Sequence, residues 1–144
     1  HILISLVIIF VSAAYLNIHW TAINLILFLL AMVGGFLIFG SFLVLAAALS
    51  FWTVRSNTLL LLTNDVLSMF IVYPMTIYPG VLIRVLTFFI PLALINYYPV
   101  SYILSQENTV WFGMNGVLAA GCLLFFLAYK FWWFGVKNYQ GTGN

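Results

Sequence analysis

The sequence predicts an all-α integral membrane protein. Of its 144 residues, 66% are hydrophobic and 4% charged, with a mean hydropathy of +1.22; soluble domains carry about 25% charged residues. The charged side chains are Arg55, Asp65, Arg84, Glu107, Lys130 and Lys137, too few to build a water-exposed surface. The apolar runs have helical length and lack the alternation of short strands, which excludes a β-barrel. Lipid offers the backbone no hydrogen bonds, so helices are what remains.

The same composition excludes other classes. The net charge of +2 is not a nucleic-acid signal, because basic clusters interleaved with polar residues are absent. One cysteine, Cys122, lies in an apolar run and reads as a small core residue. No disulfide or metal framework can form within the chain. Residue 1 is His, and the first apolar run, Ile2–Leu16, is 15 residues against about 20 needed to cross. No basic region precedes it, so it is not a signal peptide. The expectation is a single transmembrane domain over residues 1–144 that begins inside a longer protein.

Four crossings are expected, at about residues 2–16, 21–52, 80–97 and 110–134. Asn17–Trp20 turns the chain after the first, with an interfacial tryptophan. The second has 32 residues without a charge, about 48 Å of helix, so it must tilt, bend or project. Gly34, Gly35 and Gly40 are its places for bending or close packing. The third carries Pro91 in its interior, one turn after Thr87, and reads as a kink. Tyr98-Pro99 ends it, and Val100–Leu104 is too short to cross. In the fourth, Gly113, Gly116 and Ala120 fall at i, i+3 and i+7, and Gly116 and Ala120 form a small-x-x-x-small pair for helix packing.

Residues 53–79 separate the second and third crossings. If this segment lies on the surface, Arg55, Arg84, Lys130 and Lys137 all face one compartment and Glu107 the other. If it spans, the basic residues split. The excess of Lys and Arg in cytoplasmic loops favours the surface reading. Residues 57–73 then form an interfacial helix with a polar stripe of Asn57, Asn64, Asp65 and Ser68, and Asn64 or Asp65 can cap a short helix. "VYPMTIYPG" follows as a cytoplasmic elbow. Pro74 ends the helix and Pro79 opens the next crossing. Tyr73 and Tyr78 place ring and hydroxyl at the interface.

No catalytic, cofactor-binding or metal residues are expected. H-E-x-x-H, G-x-S-x-G and paired intramembrane carboxylates are absent, as is G-x-x-x-x-G-K-[ST], so this chain binds no ATP itself. Arg84 and Lys130 can snorkel, which leaves the membrane centre without charge. That weakens an ion-coupled mechanism.

The order of features then looks familiar. "FWTVRSNT" ends a long helix, "NDVLSMFIVYPMTIYP" makes the elbow, and "RVLTFFIPLALINYYP" and an aromatic exit "FWWFGVKNYQGTGN" follow. This resembles the permease subunits of ABC type 2 exporters in a bacterial branch, over most of the chain and most strongly from Phe51 to Asn144. The resemblance implies a six-helix permease, of which the four crossings are the last four. It also implies a second permease subunit, in a homo- or heterodimer, and a separate ATPase at the cytoplasmic face. ATP would sit on that partner, and ATP-driven closure would move the permease pair. The location implied is the bacterial cytoplasmic membrane. A fragment of a secondary transporter is the alternative reading, and an integral membrane enzyme comes third.

Overall fold

The computed structural model describes residues 2–18, 20–53, 56–105 and 108–138, with side chains at all of these except 2, 6, 56 and 105–114. Arg55 and Glu107, which helped to orient the chain above, lie outside the described residues. The architecture is six α-helices and no strand among the described residues.

Helix α1 (Ile2–Tyr15) ends in a hydrogen-bonded stop. Asn17 has φ 50°, the left-handed conformation that asparagine tolerates. Ile18 N–H then reaches Ala13 C=O at 3.1 Å and Asn17 N–H reaches Ala14 C=O at 3.2 Å. Two of the orphan carbonyls of the last turn are thereby satisfied. Thr21 restarts the chain, its Oγ1 accepting from Asn24 N–H at 3.2 Å at the head of α2. The polar turn expected at this point is thus a C-cap followed at once by an N-cap.

Helix α2 (Ala22–Ala48) continues through a 3₁₀ turn at Leu49–Phe51. It packs chiefly on α6 (Asn108–Asn138). The segments Ala22–Phe51 and Asn115–Asn138 are the two that are each long and apolar enough to cross a membrane. Their contact is backbone on backbone. A Cβ added to Gly34 would stand 2.8 Å from Leu118 N, and one added to Gly121 would stand 2.6 Å from Gly34 O. The buried positions of α6, Val117, Gly121, Ala128 and Gly135, recur at fours and sevens, as a helix–helix seam requires. At the far end the Phe51 ring lies on Gly135 and meets Trp132 edge to face at 5.0 Å. Trp52 adds contacts to Phe131 and Phe134. Since residue 34 meets 117–121 and residue 51 meets 132–135, α2 and α6 run parallel.

Helix α3 (Ser56–Val72) is continuous, so Asn64 and Asp65 sit inside it and cap nothing; both are exposed. It climbs α2 in the opposite direction. Leu60 shares a groove with Val44 and Ala47, Leu67 and Phe70 share the next with Phe42, and Ile71 is bonded to Asn96, whose neighbour Ile95 touches Gly35. From Phe51 to Gly35 is 16 residues, about 24 Å along α2. Helix α3 thus packs lengthwise on α2. Leu67, Phe70 and Ile71 supply the apolar face that lies on the protein.

The expected third crossing, 80–97, is not one helix. Helix α4 (Gly80–Phe88) is nine residues, about 14 Å, and stops at Phe89. A 3₁₀ turn at Leu92–Leu94 leads to α5 (Tyr97–Ser105), and the two helical parts meet at 86°. Pro91 is the physical reason: it offers no N–H to the ladder and the chain cannot carry α4 through it. Tyr98-Pro99 begins a helix rather than ending one. Val100 N–H bonds Asn96 C=O at 3.0 Å, so Pro99 lies in the first turn of α5, where a missing donor is harmless.

The seam makes a direct prediction. Gly121→Val should destabilise the protein by about 2–3 kcal/mol, since the neighbouring atom is backbone and cannot move aside. Gly40→Ala, with nothing within 4 Å, should be neutral or stabilising by up to about 1 kcal/mol. Unfolding curves of the purified full-length variants in detergent check both, and equal stabilities would contradict the packing described.

Candidate functional site

Polar groups are scarce in this chain, so the places where they meet mark the site. They meet at the break between α4 and α5. Thr87 Oγ1 donates to Ile83 C=O at 2.7 Å. Its one proton is then used, so the Tyr98 hydroxyl 3.3 Å away is the donor in the Thr87–Tyr98 pair. This bond ties the last turn of α4 to the first turn of α5. Pro91, Leu92, Ala93 and Leu94 are all buried, so the irregular backbone between them is covered by protein. Non-helical backbone at membrane depth is tolerated under that condition.

Asn96 makes the second tie. Its Nδ2 donates to Ile71 C=O, an orphan carbonyl in the last turn of α3. Its Oδ1 is buried and has no hydrogen-bond partner. The break is thus fastened to α4 by Tyr98 and to α3 by Asn96. Sequence reasoning passed over both. The available signal was "INYYP", an amide and two phenols inside an apolar run beside a proline.

The elbow is equally built. Pro74 (φ −60°, ψ 130°) and Pro79 (φ −63°, ψ 148°) are extended and flank a 3₁₀ turn at Met75–Ile77. Pro79 C=O accepts from Leu82 N–H at 2.8 Å, so it opens α4. Met75 is 2% exposed and packs in one apolar cluster with Leu67, Leu86 and Leu92. The Tyr78 ring leans on Phe70 at 5.8 Å, whereas Tyr73 is half exposed. Asp65 sits on α3 two turns earlier, outside this assembly. The break and the elbow share one core, whereas the sequence placed Pro91 inside the third crossing, Tyr98 at its outer end and the elbow at its cytoplasmic end.

A cavity of about 400 Å³ lies between the break and α6. Thr87, Pro91, Tyr98, Gly116, Ala120 and Leu124 are among its walls. Gly116 has open space where a Cβ would be, so it shapes this cavity and makes no close helix contact. Ala120 packs against the cluster of Ile38, Leu94 and Val117. The surroundings of Gly113 lie outside the described residues. The close approach expected at Gly116 and Ala120 is made by Gly34 and Gly121 instead. A small residue permits close contact only if its face points at the neighbour, and sequence spacing alone did not say which face did.

Among the described residues the walls hold no charged side chain, and the hydroxyls of Thr87 and Tyr98 are their polar groups. Among the described residues no three His, Cys, Asp or Glu side chains converge as metal ligands. The arrangement suits a structural and conformational role in an apolar medium. Sequence comparison settles the family: the description that fits residues 1–143 is ABC-2 family transporter protein.

The chain belongs to the ABC-2 transporter family. It is a membrane-embedded permease component of an ABC transporter, a family that works with an ABC ATPase. No curated protein and no solved structure matches the chain. Within the ABC-2 reading, the break, the elbow and the α2–α6 seam belong to the permease scaffold.

The two ties should differ in weight. Tyr98→Phe removes one hydroxyl bond and should reduce stability by about 0.6 kcal/mol, the mean for interhelical bonds in membranes. Asn96→Leu also strips a buried carbonyl of its partner and should reduce it by about 1–3 kcal/mol. Unfolding measurements on the full-length variants give the order; a larger loss for Tyr98→Phe would contradict the geometry.

Proposed function

We propose that this chain is the permease subunit of an ATP-driven exporter and forms half of its translocation path. Its partners on this reading are an ABC ATPase, which holds the ATP, and a second permease subunit. The chain carries no cofactor of its own, and its site is the bacterial cytoplasmic membrane. The observation that carries the reading is the family match over 1–143, joined to two long apolar helices packed in parallel. Among the described residues the cavity walls carry no carboxylate of the ion-coupling kind, which favours an external energy source over a secondary transporter.

The topology follows from the parallel seam. Two parallel spans require an odd number of crossings between them. One of α3 and the α4–α5 pair therefore crosses, and the other does not. Helix α3 supplies the crossing, since it runs antiparallel along α2 from the Phe51 end. The α4–α5 pair then enters and leaves by one face, as its 86° bend and the short reach of α4 support. On this reading the crossings are α1, α2, α3 and α6, with α3 (Ser56–Val72) in place of the segment 80–97.

Trp52, Trp132 and Trp133 form an aromatic belt at the end of α2 and α6, which marks one membrane interface. Lys130 and Lys137 lie at that end, and Arg55 follows α2 in sequence; this is the cytoplasmic side by the excess of positive charge. The elbow stands about 24 Å away, near the outer interface. Arg84 is exposed on α4 and goes with it. The orientation of α2 and α6 is the one expected from sequence, whereas the elbow changes sides.

Single-cysteine labelling tests this. In a Cys122-free full-length protein, cysteines at Thr76 and Asn138 should react with an impermeant maleimide from opposite faces. Reaction from the same face would restore the cytoplasmic elbow. Function is tested separately. The full-length protein should co-purify with an ATPase subunit and depend on ATP for transport in vesicles. Transport by the protein alone, without nucleotide, would overturn the exporter reading.

A further inference from the structure

Helix α6 presents two opposite faces. Gly121, Ala128 and Gly135 face α2 in the seam. On the other side Phe126, Lys130, Trp133 and Lys137 follow one another at steps of three and four residues, and so share a stripe. This stripe is turned away from the protein: Phe126 is 55% exposed and Trp133 46%. Tyr129, Lys130, Trp133, Phe134 and Lys137 line a groove of about 480 Å³ on it.

Two cations are gathered there without an anion. No ion pair forms among the described residues, and the acids of the whole chain are Asp65, exposed on α3, and Glu107. Lys137 has a local reason to be where it is, because it sits in the last turn of α6, where the helix dipole favours a cation. Lys130 has none. Sequence reasoning let it snorkel to the surface, but its Nζ lies 5.3 Å from the centroid of the Phe126 ring, one turn toward the membrane interior. An aromatic face offers an ammonium partial compensation. In hydrocarbon it does not replace a counter-ion.

We propose that the Lys130–Trp133–Lys137 face of α6 binds the phosphate of an anionic phospholipid. The lysines stand two turns apart, about 10 Å along the axis, and both can reach a headgroup placed over Trp133. The Trp133 and Tyr129 rings, edge to face at 6.3 Å, form its amphipathic floor at headgroup level. The occupant is a lipid because the groove runs on into exposed apolar surface. Leu123, Phe126 and Leu127 continue it toward the membrane centre, where the acyl chains would lie. A soluble anion would leave that surface unused. The placement rests on α6 crossing the membrane, as proposed above. It does not depend on the direction of transport or on the energy source.

The test uses the full-length protein assembled with its partners, delipidated and exchanged into phosphatidylcholine with a minor share of phosphatidylglycerol. Retained lipid is counted by native mass spectrometry. Phosphatidylglycerol should be retained in preference to phosphatidylcholine. Lys130→Gln and Lys137→Gln should each lower that preference about fivefold, from about 1 kcal/mol per basic side chain at a lipid surface. Lys130→Arg should preserve it, which separates loss of charge from loss of fold, and Arg84→Gln should leave it unchanged. An unaltered preference in the Lys130→Gln/Lys137→Gln double variant would overturn the proposal. An equal loss in Arg84→Gln would mean diffuse attraction and would also overturn it. So would full displacement by inorganic phosphate, which would assign the site to a free anion. Preference seen only in the isolated subunit would show that a partner protein covers this face, and would overturn it too. Cysteine labelling reports the orientation of α6 separately, so failure of the site and failure of the topology are distinguishable.

Discussion

The structure depends on the contact between Gly34 and Gly121. Lipid tails are as apolar as leucine, so no hydrophobic force presses two spans together. Dispersion between closely fitted surfaces must do it, and it falls away within an ångström of separation. Removing two side chains at facing positions lets the backbones meet and brings long stretches of α2 and α6 into range. Register follows. With residue 34 held against residues 117–121, Phe51 arrives at Gly135 and the aromatic rings interlock at one membrane surface. Helix α3 and the break are then placed by height along α2: Leu60 near Val44, Phe70 near Phe42, and Ile95 on Gly35.

The irregular part of the chain depends on that frame. A right-angle break leaves backbone groups without intrahelical partners, and lipid cannot supply any. The protein answers by burial and by side chains. Leu92, Ala93 and Leu94 are covered by α2, α3 and α6, while Thr87 with Tyr98 and Asn96 with Ile71 supply bonds across the break. Such bonds are modest singly. Together they fix one bend among the many that Pro91 alone would allow.

Composition and run length were enough to read the class of the protein and its two long helices, because charge depletion and apolar length are themselves the physical constraint. The turn at Asn17 and Thr21 was equally readable, since caps act over a few residues. Close packing at Gly34 and Gly35 was legible, but the partner face on α6 was not. Gly116 and Gly121 are both small, but only one faces Gly34. Asp65 and Asn64 are good capping residues, yet a helix whose Leu67 and Phe70 can be buried continues through them. The charge rule was applied to four basic residues. One of them, Arg84, belongs to a short helix that does not cross on the proposed topology, and a single residue out of four tilted the placement of the elbow. Pro91 was read as a kink because a lone proline usually is one. The amide and phenols that turn a kink into a stable break lie five to seven residues farther on.

The parallel seam also constrains how movement can travel. On the proposed orientation an ATPase meets the lysine-bearing end, while the elbow and the broken pair lie near the opposite surface. The α2–α6 pair is a poor transmitter, since backbone contact at the glycines allows little sliding without loss of fit. Helix α3 is different. It is a single rod of about 26 Å that begins beside the aromatic belt and ends at Ile71, whose carbonyl is held by Asn96. A displacement at its inner end arrives at the break through that one amide and at Met75 through the apolar cluster. The Asn96 Oδ1, buried without a hydrogen-bond partner, lies at this same junction between α3 and the break.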